Sequence, residues 1–301
     1  MASGRTALVL EGGGFRGIFS AGVLDVLQEK GIYGFGSVWG VSAGAINAVS
    51  FKSRQIGRSM RIILAFRDDK RFMSLWSWAT TGNIAGAEFM YDEIQNRLDP
   101  CDNEVFNANP LRMYAVATDT MFGNAAYLPC ISFPDDVHNV QASASLPMVS
   151  NRVEIGGHLY LDGGTADSIP FAVALGLPRT PRVEGHEPAS CAVVVATRER
   201  GFIKTNKTEQ MYLRSRRYDG YEYYTKALAT RAERYNACRK QMMELEKEGR
   251  VLVIEPPRPV EVGNTGATGE KLLELYLQGR TAATEKLDQL RSIAGFDPWC
   301  K

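Results

Sequence analysis

Length, composition and charge restrict the classes of function open to this chain. Its 301 residues carry 35 Lys and Arg against 34 Asp and Glu, and the formal net charge of +1 gives no overall attraction to nucleic acid. Hydrophobic residues make up 45% and charged residues 23%, which is the composition of an ordinary globular protein. At this length, one α/β domain with a C-terminal elaboration is favoured over two independent domains.

The cysteines and the apolar segments indicate the compartment. The five cysteines are widely spaced without a Cys-x-x-Cys pair, which predicts reduced thiols rather than a disulfide framework or a zinc site. The N-terminal stretch does not predict a signal peptide, because Glu11 and the glycines after it interrupt the first apolar run. No segment approaches the roughly 18 apolar residues of a membrane span. We therefore expect a cytoplasmic protein with no metal or cofactor, and transient contact with a membrane surface stays open.

The first 50 residues alternate between short apolar runs and helical patterns. Residues 6–10 and 37–41 predict strands, and residues 18–30 repeat apolar side chains at helical spacing up to Gly31. This alternation predicts a parallel sheet covered by helices. In such sheets, sites form beyond the carboxyl ends of the strands, where the loops after both predicted strands would lie together.

Residues 58–98 read mostly as helix and contain a dense group of large apolar side chains. The members of this group are Phe72, Met73, Leu75, Trp76 and Trp78. They could line an acyl pocket or face lipid, but packing in a core is favoured, because aromatic clusters usually pack there.

The remaining elements follow from apolar runs, turn residues and helical spacing. Strands are predicted at 113–118, 125–131, 191–197 and 251–254, short helices or helical patterns at 137–145, 224–245 and 270–293, and a loop at 261–269. The basic pattern of 224–245 could lie on an anionic membrane, but a docked helix with a solvated charged face is favoured. Gly156-Gly157 separates two apolar runs and predicts a hairpin that places Asp162 at the end of a strand.

Three motifs carry chemistry. Gly40-Val41-Ser42-Ala43-Gly44 has the pattern of a sharp strand-to-helix turn that exposes a serine hydroxyl, with Gly40 and Gly44 leaving room for the backbone. About 30 residues earlier, Gly12-Gly13-Gly14-Phe15-Arg16-Gly17 follows a strand, and its free amides could stabilise an oxyanion. The third motif is Asp162-Gly163-Gly164, a carboxylate followed by two glycines.

In this order, the three motifs resemble the patatin-like phospholipase family over roughly residues 5–200. The resemblance implies a three-layer α/β/α fold with a mainly parallel central sheet and a helical C-terminal elaboration. It also implies a Ser-Asp dyad that hydrolyses acyl esters of lipids, with Ser42 as nucleophile, Asp162 as base, and Gly12, Gly13, Gly14 and Arg16 as the oxyanion site. It places the Ser-Ala-Ser-Leu-Pro stretch at 143–147 beside the site. Phospholipids or lysophospholipids are the expected substrates.

Several interpretations of single residues stay open. Arg16 could bind a phosphate head group, reinforce the loop or form a structural ion pair. A conventional triad would need a histidine after the acid, and of His138, His158 and His186 only His186 follows Asp162, in a polar segment that reads as a surface loop.

Two further classes of function compete with the hydrolase. The glycines at 12, 14 and 17 match the dinucleotide-binding pattern Gly-x-Gly-x-x-Gly, but residues 32–41 contain no acidic side chain to hold a ribose. A non-catalytic lipid-binding or regulatory protein could retain the fold without the reaction. We expect a catalytic domain at 1–200 and a helical elaboration at 201–301 packed on the same core. The oligomeric state is not indicated.

Overall fold

An eight-stranded sheet lies at the centre of the computed structural model, which describes residues 6–263 and 266–295. The strands are β1 (Thr6–Leu10), β2 (Ser37–Val41), β3 (Arg112–Asp119), β4 (Ala125–Cys130), β5 (Val153–Ile155), β6 (His158–Asp162), β7 (Cys191–Val195) and β8 (Val251–Ile254). Their order is β5-β6-β3-β2-β1-β7-β8, and β4 pairs with β3 outside this path. The pairs among β3, β2, β1, β7 and β8 are parallel, and those that involve β4, β5 or β6 are antiparallel.

Helices cover both faces of this sheet. They are α1 (Gly17–Glu29), α2 (Ala43–Lys52), α3 (Arg58–Phe66), α4 (Leu75–Thr81), α5 (Asn103–Ala108), α6 (Val137–Ser143), α7 (Phe171–Ala174), α8 (Lys207–Arg214), α9 (Glu222–Ala229), α10 (Arg231–Lys247), α11 (Gly269–Glu285) and α12 (Leu287–Ala294). A π-helical segment spans Phe89–Leu98, and short 3-10 turns span Gly14–Arg16 and Gly163–Thr165.

The two largest apolar cores lie on opposite faces of the sheet. Leu8 and Leu10 of β1 belong to a core with α1, α2 and α11, whereas Val9 belongs to a second core with α7 and α10. All five residues of β1 are buried for this reason, because a strand covered on both faces has no solvent side. The predicted three-layer α/β/α fold with a mainly parallel sheet is confirmed.

The strands predicted from the sequence are confirmed to within about two residues, but two of the predicted helices are interrupted. The pattern at 224–245 forms α9 and α10 with a break at Thr230, and the closing pattern at 270–293 forms α11 and α12. Of the loop predicted at 261–269, positions 264 and 265 lie outside the described residues. Strand β8 extends the sheet next to β7, while the domain boundary at residue 200 stays a prediction.

The prediction that the apolar group at 72–78 packs in a core is wrong for three of its five members. Phe72 is buried, but Leu75, Trp76 and Trp78 are 75%, 46% and 42% exposed. Helix α4 has seven residues, of which only Ser77 is buried, so it is too short to turn its large side chains toward the core.

Candidate active site

Ser42 occupies a strained turn between β2 and α2. Its backbone has φ 54° and ψ −123°, in the positive-φ region that residues other than glycine rarely adopt. The turn needs glycine on both sides: a side chain at Gly40 would collide with the backbone of Ala45, and one at Gly44 would collide with the carbonyl oxygen of Leu10. Such strain at a non-glycine residue is typical of a nucleophile elbow, which presents the serine hydroxyl above the sheet.

A second serine holds this turn in place. The backbone N–H of Ser42 donates to Ser143 Oγ at 2.9 Å, and Ser143 Oγ donates to the carbonyl of Val116 at 2.6 Å. Ser143 is fully buried at the end of α6, so its hydroxyl is a fixed bridge between the elbow and β3. The family resemblance had placed residues 143–147 beside the site, but the sequence by itself did not show this bridge.

The register of the sheet brings Asp162 to the elbow. Strand β3 pairs with β2 as far as Val41↔Val116, and β6 then pairs with the remaining residues of β3, beginning at Ala117↔Asp162. Since β4 occupies the other edge of β3, β6 and β2 lie end to end on the same edge. Asp162 therefore lies directly beyond the carboxyl end of β2, where Ser42 begins its turn.

The Asp162 carboxyl is held on one side and faces Ser42 on the other. Oδ1 accepts the N–H of Gly164 at 2.8 Å, whereas the buried Oδ2 has no hydrogen-bond partner among the described residues. Burial raises the pKa of Asp162, and the Ser42 hydroxyl, the Gly164 N–H and the charges of Arg231 and Lys204 oppose that rise. The Ser42 hydroxyl is thus close enough to act on the pKa of the carboxyl.

The glycine-rich loop lies against the elbow. A side chain on Gly12 would stand 3.0 Å from Ser42 Cβ, and one on Gly13 would stand 2.8 Å from Thr197 Oγ1. Gly14 has φ 55° and opens the 3-10 turn that leads into α1. Within the described part of the chain, the N–H groups of Gly13 and Gly14 donate to no other group. Two amides beside the nucleophile are the arrangement that a developing oxyanion requires.

Glu11 connects this loop to distant parts of the chain. Its Oε2 accepts the N–H of Thr197 at 2.6 Å, and its Oε1 accepts the hydroxyl of Tyr235 at 2.6 Å. Thr197 in turn donates its hydroxyl to the carbonyl of Gly12 at 2.8 Å. The end of β1, the end of β7 and helix α10 are therefore tied together at the loop.

Ser42 lies between two concave regions of different character. One is an apolar cavity of about 90 Å³. Its walls are Phe15 and Ile46 at the site, residues of α3 and the π-helical segment farther in, and Phe72, Met73 and Ala85 from the chain on either side of α4. Apolar walls that reach the nucleophile can hold a hydrocarbon chain.

The other region is a polar cleft of about 310 Å³ that also contains Ser42 and Asp162. Four cations line it, namely Arg16, Arg198, Lys204 and Arg231. Burial lowers the pKa of Lys204 to about 8, and the charge of Arg231 adds to the fall. Burial and the charge of Arg198 lower the pKa of Arg16 to about 10. Cations that lose stability through burial and mutual repulsion gain it back when an anion binds among them.

Arg231 joins the cleft to the turn after Asp162. Its Nε donates to the carbonyl of Gly164 at 2.5 Å, and its guanidinium pairs with the buried Glu209 at 2.8 Å. Gly163 packs against the carbonyl of Val116, so a side chain there would displace β6 from β3. The segment 224–245 packs against the protein as the two helices α9 and α10, and Arg231 and Arg239 turn toward the protein.

The histidines lie apart from Ser42. His158 Nδ1 contacts Asp119 at 2.7 Å, His138 Nδ1 contacts Gln141 at 2.9 Å, and His186 Nε2 contacts the carbonyl of Ala174 at 3.0 Å. None of the three lines the apolar cavity or the polar cleft.

Among residues 6–263 and 266–295, no group of His, Cys, Asp and Glu has a metal-binding arrangement, and the four cysteines there form no disulfide. In the same part of the chain, no helix combines the length and apolarity needed to cross a bilayer.

Comparison with known proteins agrees with the motifs. A profile of the patatin-like phospholipase family matches residues 8–175, which is more than half of the chain, and this protein belongs to that family. The family supports a place among lipid hydrolases. A second profile, of a domain of unknown function, matches residues 221–295.

Individual relatives are distant. The uncharacterised protein YjjU of Escherichia coli is 26% identical over 295 residues, which cover 92% of this chain and 75% of that protein. An uncharacterised NTE family protein of Mycobacterium tuberculosis is 30% identical over 183 residues, 58% of this chain, and the match covers only 47% of that relative. The crystal structure of VipD from Legionella pneumophila aligns with 96% of this chain and 67% of its own at 14% identity and a TM-score of 0.45.

The sequence motifs left several residues of this site unnoticed. Lys204, Glu209 and Arg231 come from separate segments, and each looks like an ordinary surface or core residue in its local context. For Arg231, the one indication in the sequence was the Gly-Gly pair after Asp162, since a glycine there lets the guanidinium approach the backbone.

Proposed function

We propose that this protein hydrolyses carboxylic acyl esters of phospholipids or lysophospholipids, with Ser42 as nucleophile and Asp162 as its base. The proposal rests above all on one observation: the strained Ser42 faces a buried carboxylate at the junction of an apolar cavity and a cation-lined cleft. A phospholipid has these two chemistries on either side of its ester bond.

The first half of the proposed reaction forms an acyl-enzyme. Asp162 Oδ2 takes the proton of the Ser42 hydroxyl as the oxygen attacks the ester carbonyl carbon. The N–H groups of Gly13 and Gly14 hold the resulting oxyanion, and the N-terminal end of α1 adds a favourable dipole. The protonated Asp162 then donates its proton to the leaving alcohol, which departs with the head group through the polar cleft.

The second half releases the fatty acid. Asp162 accepts a proton from a water molecule, whose oxygen attacks the acyl-Ser42 carbonyl, and the same proton returns to Ser42 as the acid leaves. A free aspartate, with a pKa of about 3.9, is a weak base for a serine. The raised pKa of the buried Asp162 brings it closer to the working pH and makes this step easier.

The cleft supports a substrate with an anionic head group. Arg198, Lys204 and Arg231 line the polar cleft and not the apolar cavity, and the glycerophosphate part of a bound phospholipid would lie among them. Arg16 lines the same cleft, so it would lie near the phosphate as well as beside the glycine-rich loop.

A fluorophosphonate probe tests the nucleophile directly. We expect covalent labelling at Ser42, which Ser42→Ala abolishes together with hydrolysis of a short-chain nitrophenyl ester. Ser59 also lines the apolar cavity but stands on regular helix α3, so Ser59→Ala is a matched control that keeps labelling and turnover. A protein that binds lipid but takes no label would instead be a non-catalytic lipid-binding member of the family.

A further inference from the structure

Helix α4 lies at the tip of a chain segment whose two ends line the apolar cavity. Met73 and Ala85 form an isolated antiparallel bridge at its base, and both residues line the cavity. Between them, Leu75, Trp76 and Trp78 are 75%, 46% and 42% exposed. Large apolar side chains in this number on one short helix mark a contact surface rather than ordinary scattered exposure.

Helix α8 stands beside the other concave region and is divided into two faces. Glu209 and Tyr212 face inward and line the polar cleft. Lys207, Met211 and Arg214 recur at spacings of four and three residues, so they share the outer face, and all three are exposed. An outer face with one apolar side chain between two cations has the chemistry of a helix that lies on an anionic lipid surface.

The segment at 148–152 links these two helices around the site. Asn151 donates to the carbonyl of Thr81 at 3.0 Å, next to α4. On the other side, Met148 N–H donates to the Tyr218 hydroxyl at 2.8 Å, and Arg217 donates to the carbonyl of Met148 at 2.9 Å. The apolar tip and the basic helix are therefore held in one surface rather than on unrelated parts of the molecule.

Positive charge accumulates along this surface. Arg152, Arg214, Arg216 and Arg217 are all exposed there, and Asp219 pairs with Arg216. The whole chain has a net charge of only +1, so this density is local. Juxtamembrane clusters of this kind are attracted to the negative potential of anionic lipids.

We propose that the rim surface, formed by Leu75, Trp76 and Trp78 of α4 and Lys207, Met211 and Arg214 of α8, docks on an anionic phospholipid membrane. Tryptophan prefers the boundary between head groups and acyl chains, so α4 enters that boundary while α8 rests on the phosphates. This surface borders both concave regions, because the base of α4 lines the apolar cavity and the inner face of α8 lines the polar cleft. A second copy of the chain fits this surface less well, because a symmetric pair would oppose like charges.

The docking serves the proposed hydrolase function but is measured separately from it. Ser42→Ala, which leaves lipids intact under that proposal, is mixed with vesicles of phosphatidylcholine alone or with phosphatidylglycerol added. We expect sedimentation with the anionic vesicles at least tenfold stronger than with the neutral ones. Brominated lipids should quench the tryptophan emission, since two of the four tryptophans lie in α4.

Two pairs of substitutions separate the two parts of the surface. Trp76→Ala with Trp78→Ala should lower binding to both kinds of vesicle at least tenfold and remove most of the bromolipid quenching. Lys207→Gln with Arg214→Gln should lower binding to anionic vesicles about tenfold and leave the weak neutral binding unchanged. In the background with Ser42 intact, both pairs should hydrolyse a soluble short-chain ester at the unaltered rate, which also shows that they fold.

Matched controls lie at the opposite end of the sheet, near the amino ends of its parallel strands. Ile131 follows the end of β4 next to the amino end of β3 and is 72% exposed, as Leu75 is 75% exposed. Lys30 and Lys247 end α1 and α10 before the amino ends of β2 and β8. Ile131→Ala and the pair Lys30→Gln with Lys247→Gln should keep full binding. Absence of vesicle binding by Ser42→Ala, or equal losses in the rim and control variants, would overturn the docking proposal. Loss of ester hydrolysis by Ser42→Ala is a separate result, which supports the proposed reaction and does not test the docking.

Discussion

The apolar cavity and the polar cleft share Ser42 but differ in where their walls come from. The cavity is lined by residues between Gly14 and Leu146, all within the region that matches the patatin-like phospholipase profile. The cleft takes Arg198, Lys204 and Arg231 from beyond that region. The difference teaches that the apolar side of the site belongs to the family core, while the charged side is completed by residues that follow this core in the chain.

The largest expected effect removes the proposed base of Ser42, the serine that both regions share. Asp162→Asn keeps the shape of the side chain but cannot accept the Ser42 proton, so kcat should fall by roughly 10² to 10⁴. Asp167 is a half-buried carboxyl that accepts the Tyr127 hydroxyl at 3.0 Å and lines neither the apolar cavity nor the polar cleft. Asp167→Asn should keep the rate within about tenfold in the same assay. Equal losses in the two variants would mean that Asp162 acts only through folding.

Histidine variants extend this test to the alternative triad. His138→Ala, His158→Ala and His186→Ala should each stay within about tenfold of the unaltered rate, because none of the three rings lines the site. A folded histidine variant as inactive as Ser42→Ala would replace the Ser-Asp dyad with a Ser-His mechanism.

The next effect concerns the loop between the two regions. A side chain at Gly13 would stand 2.8 Å from Thr197 Oγ1, so Gly13→Val should displace the amides and lower kcat by about 10² for substrates of any head group or chain length. Gly266 has no atom within 4 Å of the corresponding position, and Gly266→Val is the matched control. Circular dichroism checks folding. Full activity in a folded Gly13→Val protein would place the oxyanion elsewhere.

A smaller effect on turnover should result from changing a cation of the polar cleft. The pKa of Lys204 is lowered to about 8, so its positive charge is present below that pH and is lost above it. For a lysophospholipid, kcat/KM should therefore fall on the alkaline side of about pH 8, and Lys204→Gln should raise KM about tenfold at pH 7 and remove this fall. A neutral nitrophenyl ester and the Lys247→Gln variant should show neither change.

Lys204→Gln should also change how the rate depends on pH in the acid range. Asp162 must be deprotonated to act as a base, so the rate falls as the pH drops through its raised pKa. The charge of Lys204 lowers that pKa, and Lys204→Gln should shift the acid limb to higher pH with both substrates. An acid limb that does not move would mean that Lys204 does not act on the carboxyl.

The smallest effect on turnover should result from changing a wall of the apolar cavity. Ile63 lines its wall, whereas the neighbouring Leu64 is 45% exposed and does not. Ile63→Phe should shorten the space for the acyl chain and lower kcat/KM for long-chain esters about fourfold for each methylene that no longer fits. Short-chain esters and Leu64→Phe should be unaffected. A uniform loss at all chain lengths would show that the acyl group lies outside this cavity.

Local patterns carried much of the fold and the motifs. The alternation of strand and helix predicted the parallel sheet, and the glycines around Ser42 predicted the elbow, because a crowded turn with positive φ needs small neighbours. The hairpin at Gly156-Gly157 likewise placed Asp162 at a strand end. These are consequences of spacing and backbone geometry within about ten residues.

Such local patterns did not predict the interruptions of the helices or the exposure of the two tryptophans. Residues 224–245 keep a helical period through Thr230, yet the chain changes direction there to bring Arg231 to Gly164. Trp76 and Trp78 look like core residues by type, and only the short α4 and its position at the rim leave them in solvent.

By itself, the sequence determined the elements, the family and the candidates for nucleophile and base. The tertiary structure decided how they meet: β6 pairs with β3 where β2 ends, which places Asp162 beside Ser42 although the two are 120 positions apart in the chain. It also brought Lys204 and Arg231 to the cleft that contains this serine. Strand pairing and the burial of charge depend on contacts between segments remote in the chain, and no local propensity encodes them.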